Sequence, residues 1–260
     1  MLFEKGLKYS TVNIHRSSIS TTLPNFDGVP AGQHPMVVRL MKGIFNERPP
    51  SRRLYPSWKV ADVVSVFDGW PSPPPLKDLI RKTAFLLAMA STRRPSEISS
   101  FRVSPQFFSS NQTSARFVPS RLSKTDRLNH MSPAIVIYRL TDLPSLCPVV
   151  ATEQLIAART ALQINHDFLF CADTAPHAPL SSSAFSRRIS WVLQRAGISA
   201  PPGSTRAMSA SAAFSGSLDL NAILRAGDWS GAETFFRFYC RDLGATQGAA
   251  PDAAVSRDLQ

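Results

Sequence analysis

Four short stretches of this chain carry residue types that could act on a phosphate ester. The first is Thr92-Arg93-Arg94-Pro95-Ser96-Glu97-Ile98, at the end of a strongly apolar helical segment. An arginine at such a boundary can leave the core and offer its planar fork to two phosphate oxygens. Glu97 is spaced to hold the backbone or the Arg94 side chain in place. The plain alternative is a solvated arginine beside a helix cap. The second stretch is Ser123-Lys124-Thr125-Asp126-Arg127, in the turn between two β candidates. A lysine there can reach into a groove and protonate a leaving oxygen, although lysines on exposed turns are commonplace. The third, Gly203-Ser204-Thr205-Arg206, opens an Ala-rich helical stretch. Ser204 is a good N-cap, which puts Arg206 in the first turn, where a cation opposes the macrodipole. A bound phosphate would relieve that conflict. The fourth is Ala226-Gly227-Asp228-Trp229-Ser230, followed by Thr234-Phe235-Phe236-Arg237-Phe238-Tyr239. Gly227 reads as a helix stop and Ser230 as a start. Phe235, Phe238 and Tyr239 then share a helix face, a spacing more common in cores than in catalysis.

The elements that must position these residues follow from periodicity. The run Trp70-Pro71-Ser72-Pro73-Pro74-Pro75 cannot lie inside a helix or sheet, so residues 71–75 read as a linker. A second break, Arg48-Pro49-Pro50-Ser51-Arg52-Arg53, divides the segment before it. Residues 1–70 carry three helical patterns: Val12, Ile14 and Ile19; Met36, Val37, Leu40, Met41 and Ile44; and Val60, Val63, Val64 and Phe67. They predict a small helical unit, incomplete because three short helices give a thin core. Residues 76–243 predict a second domain. Leu76, Leu79, Ile80, Thr83, Leu87 and Ala90 mark an amphipathic helix. Three short β candidates follow at 105–108, 115–118 and 134–138. Helical pattern returns at 149–162, 183–196, 205–214, 220–226 and 232–241. Residues 244–260 read as a disordered tail. There is no internal repeat.

Composition narrows the class of partner. The formal net charge is +11, from 29 Lys plus Arg against 18 Asp plus Glu, in 260 residues. Such an excess favours a polyanion through phosphate contact and counterion release; it does not choose between DNA, RNA and an acidic membrane surface. A hydrophobic share of 43% can build a sizeable core. Cys147, Cys171 and Cys240 are too few and too scattered for a disulfide framework or a zinc knuckle, which fits a reducing, intracellular compartment. The first ten residues lack the apolar run of a secretory signal, and the apolar stretches are too short to span a bilayer.

In order, Arg-x-x-Glu, a hairpin Lys, x-x-x-Arg opening a helix, Gly-x-Trp and a Tyr near the end resemble the tyrosine recombinase (phage integrase) family over about residues 76–243. The resemblance implies a mainly α catalytic fold with a small antiparallel β-sheet, preceded by a short, truncated helical core-binding domain that clamps DNA. It implies Tyr239 as nucleophile and Arg94 and Arg206 as the phosphate clamp. Lys124 becomes the acid, Glu97 the acidic partner of Arg94, and Trp229 the occupant of the His-or-Trp position. The implied reaction is DNA cleavage and rejoining through a 3′-phosphotyrosyl link, with no cofactor or metal. The implied partners are duplex DNA and further copies of the chain, as dimer or tetramer, with no membrane and no small-molecule substrate. The wording of Gly6 to Asn13, of Gln33-His34-Pro35, of Ser204-Thr205-Arg206 and of Phe235 to Tyr239 is most similar to recombinases of DIRS-type retrotransposons. A nuclear location is expected if the source is a eukaryotic mobile element. Two positions depart from the pattern. Gly203 stands at the family's box histidine. Tyr239 lies one residue further from Trp229 than in many members, so Phe238 takes the usual place. Three other readings stay open: a weakened or inactive DNA-binding remnant, a related strand-swivelling topoisomerase, and an unrelated basic helical protein.

Overall fold

The computed structural model describes residues 2–50 and 58–241; the expected tail at 244–260, and residues 51–53 of the second break, lie outside them. The chain divides into two compact units, one within residues 1–54 and one within 55–260.

The first unit is a helical pair, α1 (Tyr9–Thr22) and α2 (Pro35–Glu47). Pro35 at the first turn and the His34 side chain, which accepts from the Met36 N–H, start α2. Val12, Met41 and Ile44 form its buried centre, with Tyr9 edge-on to Phe45 at 5.3 Å. Arg48 closes the unit by donating from Nη1 to the Phe3 and Leu7 carbonyls at 3.2 and 2.9 Å. Ile14, Ile19, Met36 and Leu40, which the periodicity placed inward, are exposed. Two helices bury one narrow seam and cannot cover a wider stripe.

The third helical pattern belongs elsewhere. α3 (Val60–Val64) and the turn through Phe67 send Val63, Phe67 and Trp58 into the core of the second unit. Trp58 and Phe67 both meet Phe85, at ring separations of 6.2 and 6.0 Å. The Pro-rich stretch 71–75 is free of helix and strand, as expected, yet Trp70 before it packs against Trp191 at 6.4 Å.

α4 (Leu76–Ser91) is the axis of the second unit. Its first half is amphipathic, with Lys77 exposed, while residues 83–88 are buried on every side, and α6 (Pro148–Ala161), α7 (Ser182–Arg195) and α8 (Ser204–Ser215) surround it. Thr83 inside this core satisfies its hydroxyl on the Ala151 carbonyl at 3.1 Å. Three strands form an antiparallel sheet in chain order: β1 (Phe108–Ser110), β2 (Ser114–Phe117) and β3 (Ile135–Tyr138). Its register pairs Phe108 with Phe117, Ala115 with Ile137, and Phe117 with Ile135. Ala115, Phe117, Ile135 and Ile137 point inward while Val136 and Tyr138 point out, the period-two pattern of a half-buried sheet. The first strand starts later than predicted, because Phe107 and Phe108 bond back to Ser104 in a turn. The last helices are α9 (Leu220–Gly227), capped by the Asp219 carboxylate on the Ala222 N–H at 2.8 Å, and α10 (Ala232–Phe238). Among the described residues no helix is long and apolar enough to cross a membrane.

Candidate active site

Helix ends place the first two basic residues. α4 stops at Thr92, which adopts left-handed backbone at φ 52°. The chain then turns through Arg93 and Arg94 into α5 (Pro95–Ile98). Arg94 is the N-cap, and Glu97 serves it twice: its carboxylate accepts from the Arg94 backbone N–H at 3.4 Å and from Nη1 at 2.5 Å. Both alternatives read from the sequence, cap and arginine support, are therefore met by one side chain. Arg94 stays half-buried at the mouth of a cavity of about 210 Å³, whose rim also carries Arg93, Arg121, Lys124 and Glu97. The balance of four cations against one carboxylate makes this hollow attractive to an anion.

Lys124 sits on the segment between β2 and β3. Asp126 ties that segment together: its carboxylate accepts from the backbone N–H groups of Ser123 and Ser132, both at 2.6 Å, and from the Ser132 hydroxyl at 2.7 Å. Burial works against its ionised form, but these hydrogen bonds outweigh it and lower the Asp126 pKa.

Arg206, Trp229 and Tyr239 form a stack. α8 is capped one residue before the predicted cap: Gly203 is the N-cap, and Ser204 is the first residue of the helix, its hydroxyl accepting from the Trp58 indole N–H at 3.3 Å. The expected Ser204 cap is thus replaced by a tertiary bond, since Gly203 already has near-helical angles (φ −67°, ψ −12°). Arg206 is in the first turn, as expected, and only 2% exposed. Its guanidinium lies 4.2 Å from the Trp229 ring centre and 5.1 Å from that of Tyr239; the two rings are 4.9 Å apart. Arg206 Nη2 donates to the Gly227 carbonyl at 2.6 Å. Arg206 Nε and Nη1 and the Trp229 indole N–H are buried with no acceptor among the described residues. Burial, with the charge of Arg94 adding to it, pushes the Arg206 pKa down to about 10; Tyr239 and Glu97 oppose the shift.

Gly227 is required at its place: a Cβ there would overlap the Trp229 ring. The predicted helix start at Ser230 moves to Ala232, with Gly231 extended before it. α10 ends at Phe238, short of the predicted 241, and Tyr239 caps it at φ −121°, ψ −31°. Tyr239 thereby turns onto Trp229 and Arg206, while Phe238 remains 58% exposed. Gly203 is exposed at the head of α8.

The arrangement brings Arg94, Glu97 and Lys124 around one hollow and Arg206, Trp229 and Tyr239 into one stack. What joins the two groups was not read from the sequence. Asp228, buried and at φ 53°, accepts from the Thr125 hydroxyl, from Ser132 Oγ at 2.8 Å and from His130 Nε2 at 3.0 Å, and pairs with Arg93 Nη1 at 3.5 Å. Burial alone would raise its pKa; the three hydrogen bonds and the Arg93 charge hold it down at about 2. Arg93 is itself 2% exposed, and burial lowers its pKa despite Glu97 and Asp228 nearby. Among the described residues no three His, Cys, Asp or Glu side chains gather as metal ligands.

The fold matches that of solved recombinases. No protein-family model and no curated protein matches the chain. The Tn1549 transposon integrase in complex with transposon right end DNA has a TM-score of 0.61 at 13% identity, over 93% of this chain and 78% of that one. A lambda integrase dimer bound to a COC′ core site gives 0.54 at 15%, over 96% and 79%. The XerA recombinase gives 0.52 at 14%, over 90% and 78%. At these identities the likeness establishes the architecture: a mainly helical tyrosine-recombinase fold with its small antiparallel sheet, preceded by a short helical unit.

Proposed function

We propose that this protein cuts and rejoins duplex DNA through a tyrosyl–phosphate link at Tyr239. The observation that carries the reading is the set of buried donors left without acceptors beside Tyr239: Arg206 Nε and Nη1 and Trp229 Nε1. Other buried arginines, Arg81 and Arg159 among them, leave one nitrogen unpaired, but Arg206 leaves two beside the Trp229 indole N–H, and such a donor cluster against a tyrosine ring fits the oxygens of a phosphodiester. In this reading Tyr239 Oη attacks the phosphorus, the new O–P bond forms, and the bond to the 5′-oxygen breaks. Arg94 and Arg206 hold the charge of the pentacoordinate phosphorane. Trp229 donates its indole N–H to a phosphate oxygen, and the Lys124 ammonium gives its proton to the departing 5′-oxygen. Gly203 has no side chain to take the phenolic proton, which passes to water. A 5′-hydroxyl of a second strand reverses the attack.

Several copies assemble on DNA in this proposal, since strand exchange needs two sites; the lambda integrase has been solved as a dimer on a core site and as a tetramer on a Holliday junction. The first unit clamps the duplex, and the excess of basic residues contacts its backbone. The DIRS-like wording supports a mobile-element recombinase, acting in the nucleus if the source is eukaryotic. A second reading, a DNA-binding remnant, is favoured by Gly203 alone. A nicked suicide duplex, on which the released fragment diffuses away, separates the two. The recombinase forms a covalent adduct that survives denaturation; Tyr239→Phe forms none and still binds the duplex. Salt-sensitive binding without adduct from the native chain on every duplex tested refutes the enzyme and leaves the remnant.

A further inference from the structure

Asp228 does more than end a helix. It sits between Gly227, whose carbonyl anchors Arg206, and Trp229, whose ring covers it. Its carboxylate reaches across to the segment that carries Lys124 and takes three bonds there, from Thr125, His130 and Ser132. On its other side it pairs with Arg93, the neighbour of Arg94. A solvated turn has no need of a buried carboxylate in left-handed backbone, a conformation that asparagine and aspartate tolerate better than most side chains. The segment is also held by Asp126, which bonds only within it, and near its start by the Ser120 hydroxyl, which donates to the Ser100 carbonyl at 2.7 Å. Asp228 thus links the lysine segment, beyond Lys124, to the turn that holds the arginine–tyrosine stack.

We infer that Asp228 is a positioning residue for Lys124: it fastens the lysine segment to the Gly227–Trp229 turn, so that the proton donor and the attacking tyrosine address the same phosphate. The inference rests on the proposed strand-cleavage reading for its chemistry, and on the hydrogen-bond geometry alone for the fastening. A misplacement of about 1 Å can cost on the order of 10²-fold in rate, which is the size of effect expected when the link is cut.

Two variants cut it differently. Asp228→Asn keeps the shape and suits left-handed backbone but loses the charge. Thr125→Val with His130→Ala removes two of the three bonds from the lysine side and leaves intact both the Arg93–Asp228 pair and the bonds that Asp126 makes within the segment. Each is tested on a nicked duplex with an ordinary 5′-oxygen and on one with sulfur bridging the scissile phosphorus and the 5′-carbon. The sulfur leaves as a thiolate, which needs no proton at neutral pH, so a fault confined to proton donation disappears on that substrate. Both variants should form adduct about 10²-fold more slowly on oxygen and regain most of the native rate on sulfur, as Lys124→Ala should. Equal loss on both substrates overturns the inference, because the fault then lies with Arg206 or Trp229. Hydrogen–deuterium exchange of peptides covering 119–134 gives a readout that needs no activity. Faster exchange there, with α4 unchanged, supports the fastening; unchanged exchange in both variants refutes it. A native chain that forms no adduct on either substrate refutes the cleavage reading instead, and the exchange result still decides whether Asp228 fastens the segment.

Discussion

Replacing Arg206 with methionine should separate chemistry from folding. Arg206 is 2% exposed, its Nη2 bonds the Gly227 carbonyl, and Nε and Nη1 have no acceptor among the described residues. Burial, reinforced by Arg94, holds its pKa at about 10 against an ordinary 12.5. A shift of that size corresponds to about 3 kcal/mol against the charged, folded chain. Methionine removes this penalty and keeps an unbranched, polarisable stem against Trp229. Two losses oppose the gain. The Gly227 carbonyl is left without its donor, at about 1–3 kcal/mol, and Trp229 loses a desolvated cation–π contact of about 2 kcal/mol. The contributions nearly cancel, so folding stability should change by no more than about 2 kcal/mol. At roughly 2–4 °C per kcal/mol for a unit of this size, Tm should move by less than about 8 °C. The effect on chemistry does not cancel. One donor aimed at developing charge is worth about 10²–10³-fold, and Arg206 offers two free nitrogens. Adduct formation on the suicide duplex, followed in a single turnover at saturating protein, should fall by about 10³-fold or more. Adduct within about 10-fold of native would show that Arg206 does not touch the phosphate. Loss of adduct together with collapse of the thermal transition would show that it is a structural arginine.

Three further outcomes follow from the same geometry. A Cβ at Gly203 meets nothing within 4 Å and the backbone there is ordinary, so Gly203→His should fold normally and raise adduct formation, by at most the ~10²–10⁴-fold that acid–base assistance supplies; no gain counts against an active site short of one histidine. Gly227→Ala must push Trp229 off Arg206, because the added Cβ overlaps the indole; near-UV circular dichroism should change, and stability should drop by about 1–3 kcal/mol. Asp228 has its pKa lowered from 3.8 to about 2, so its stabilisation is complete above about pH 4 and is lost as pH falls towards 2. Exchange of the 119–134 peptides should therefore accelerate as pH falls in the native chain and respond less in Asp228→Asn, where Arg93 and His130 face a neutral amide and the remaining response comes from Asp126, whose pKa is also lowered by its bonds within the segment.

Much of the scaffold was legible because its signals are local. The apolar period of α4, the proline before it and the Arg94–Glu97 spacing each act within a few residues, and each is found where the pattern put it. The arrangement of α3 was not legible: Val63 and Phe67 have the same period whether they face a small N-terminal unit or Phe85, and only tertiary packing chooses. The Arg-x-x-Glu spacing singled out Arg94, but nothing in the sequence said that Arg93 would be buried beside it. One is sealed against Asp228 and the other caps α5, and the difference comes from the left-handed turn at Thr92. Asp228 was invisible for a related reason. Its partners lie about a hundred positions away, and nothing in Gly-Asp-Trp announces a carboxylate that will face Thr125.

The tyrosine shows where counting residues misleads. By spacing from Trp229, Phe238 takes the place expected of the nucleophile, which invites a bulge or longer loop to absorb one residue. The structure absorbs it without an inserted bulge. Phe235 is fully buried and anchors α10; from that anchor Phe238 and Tyr239 are the i+3 and i+4 positions, and a continuing helix would bring both rings to one face. The helix instead ends at Phe238, and the N–H groups of Tyr239 and Cys240 both close onto the Phe235 carbonyl at 2.8 Å. That termination leaves the Phe238 ring in solvent and lays the Tyr239 ring on Trp229 and Arg206. Which of two adjacent aromatics meets the arginine is decided by where a seven-residue helix stops, and helix ends are the feature that periodicity determines least well.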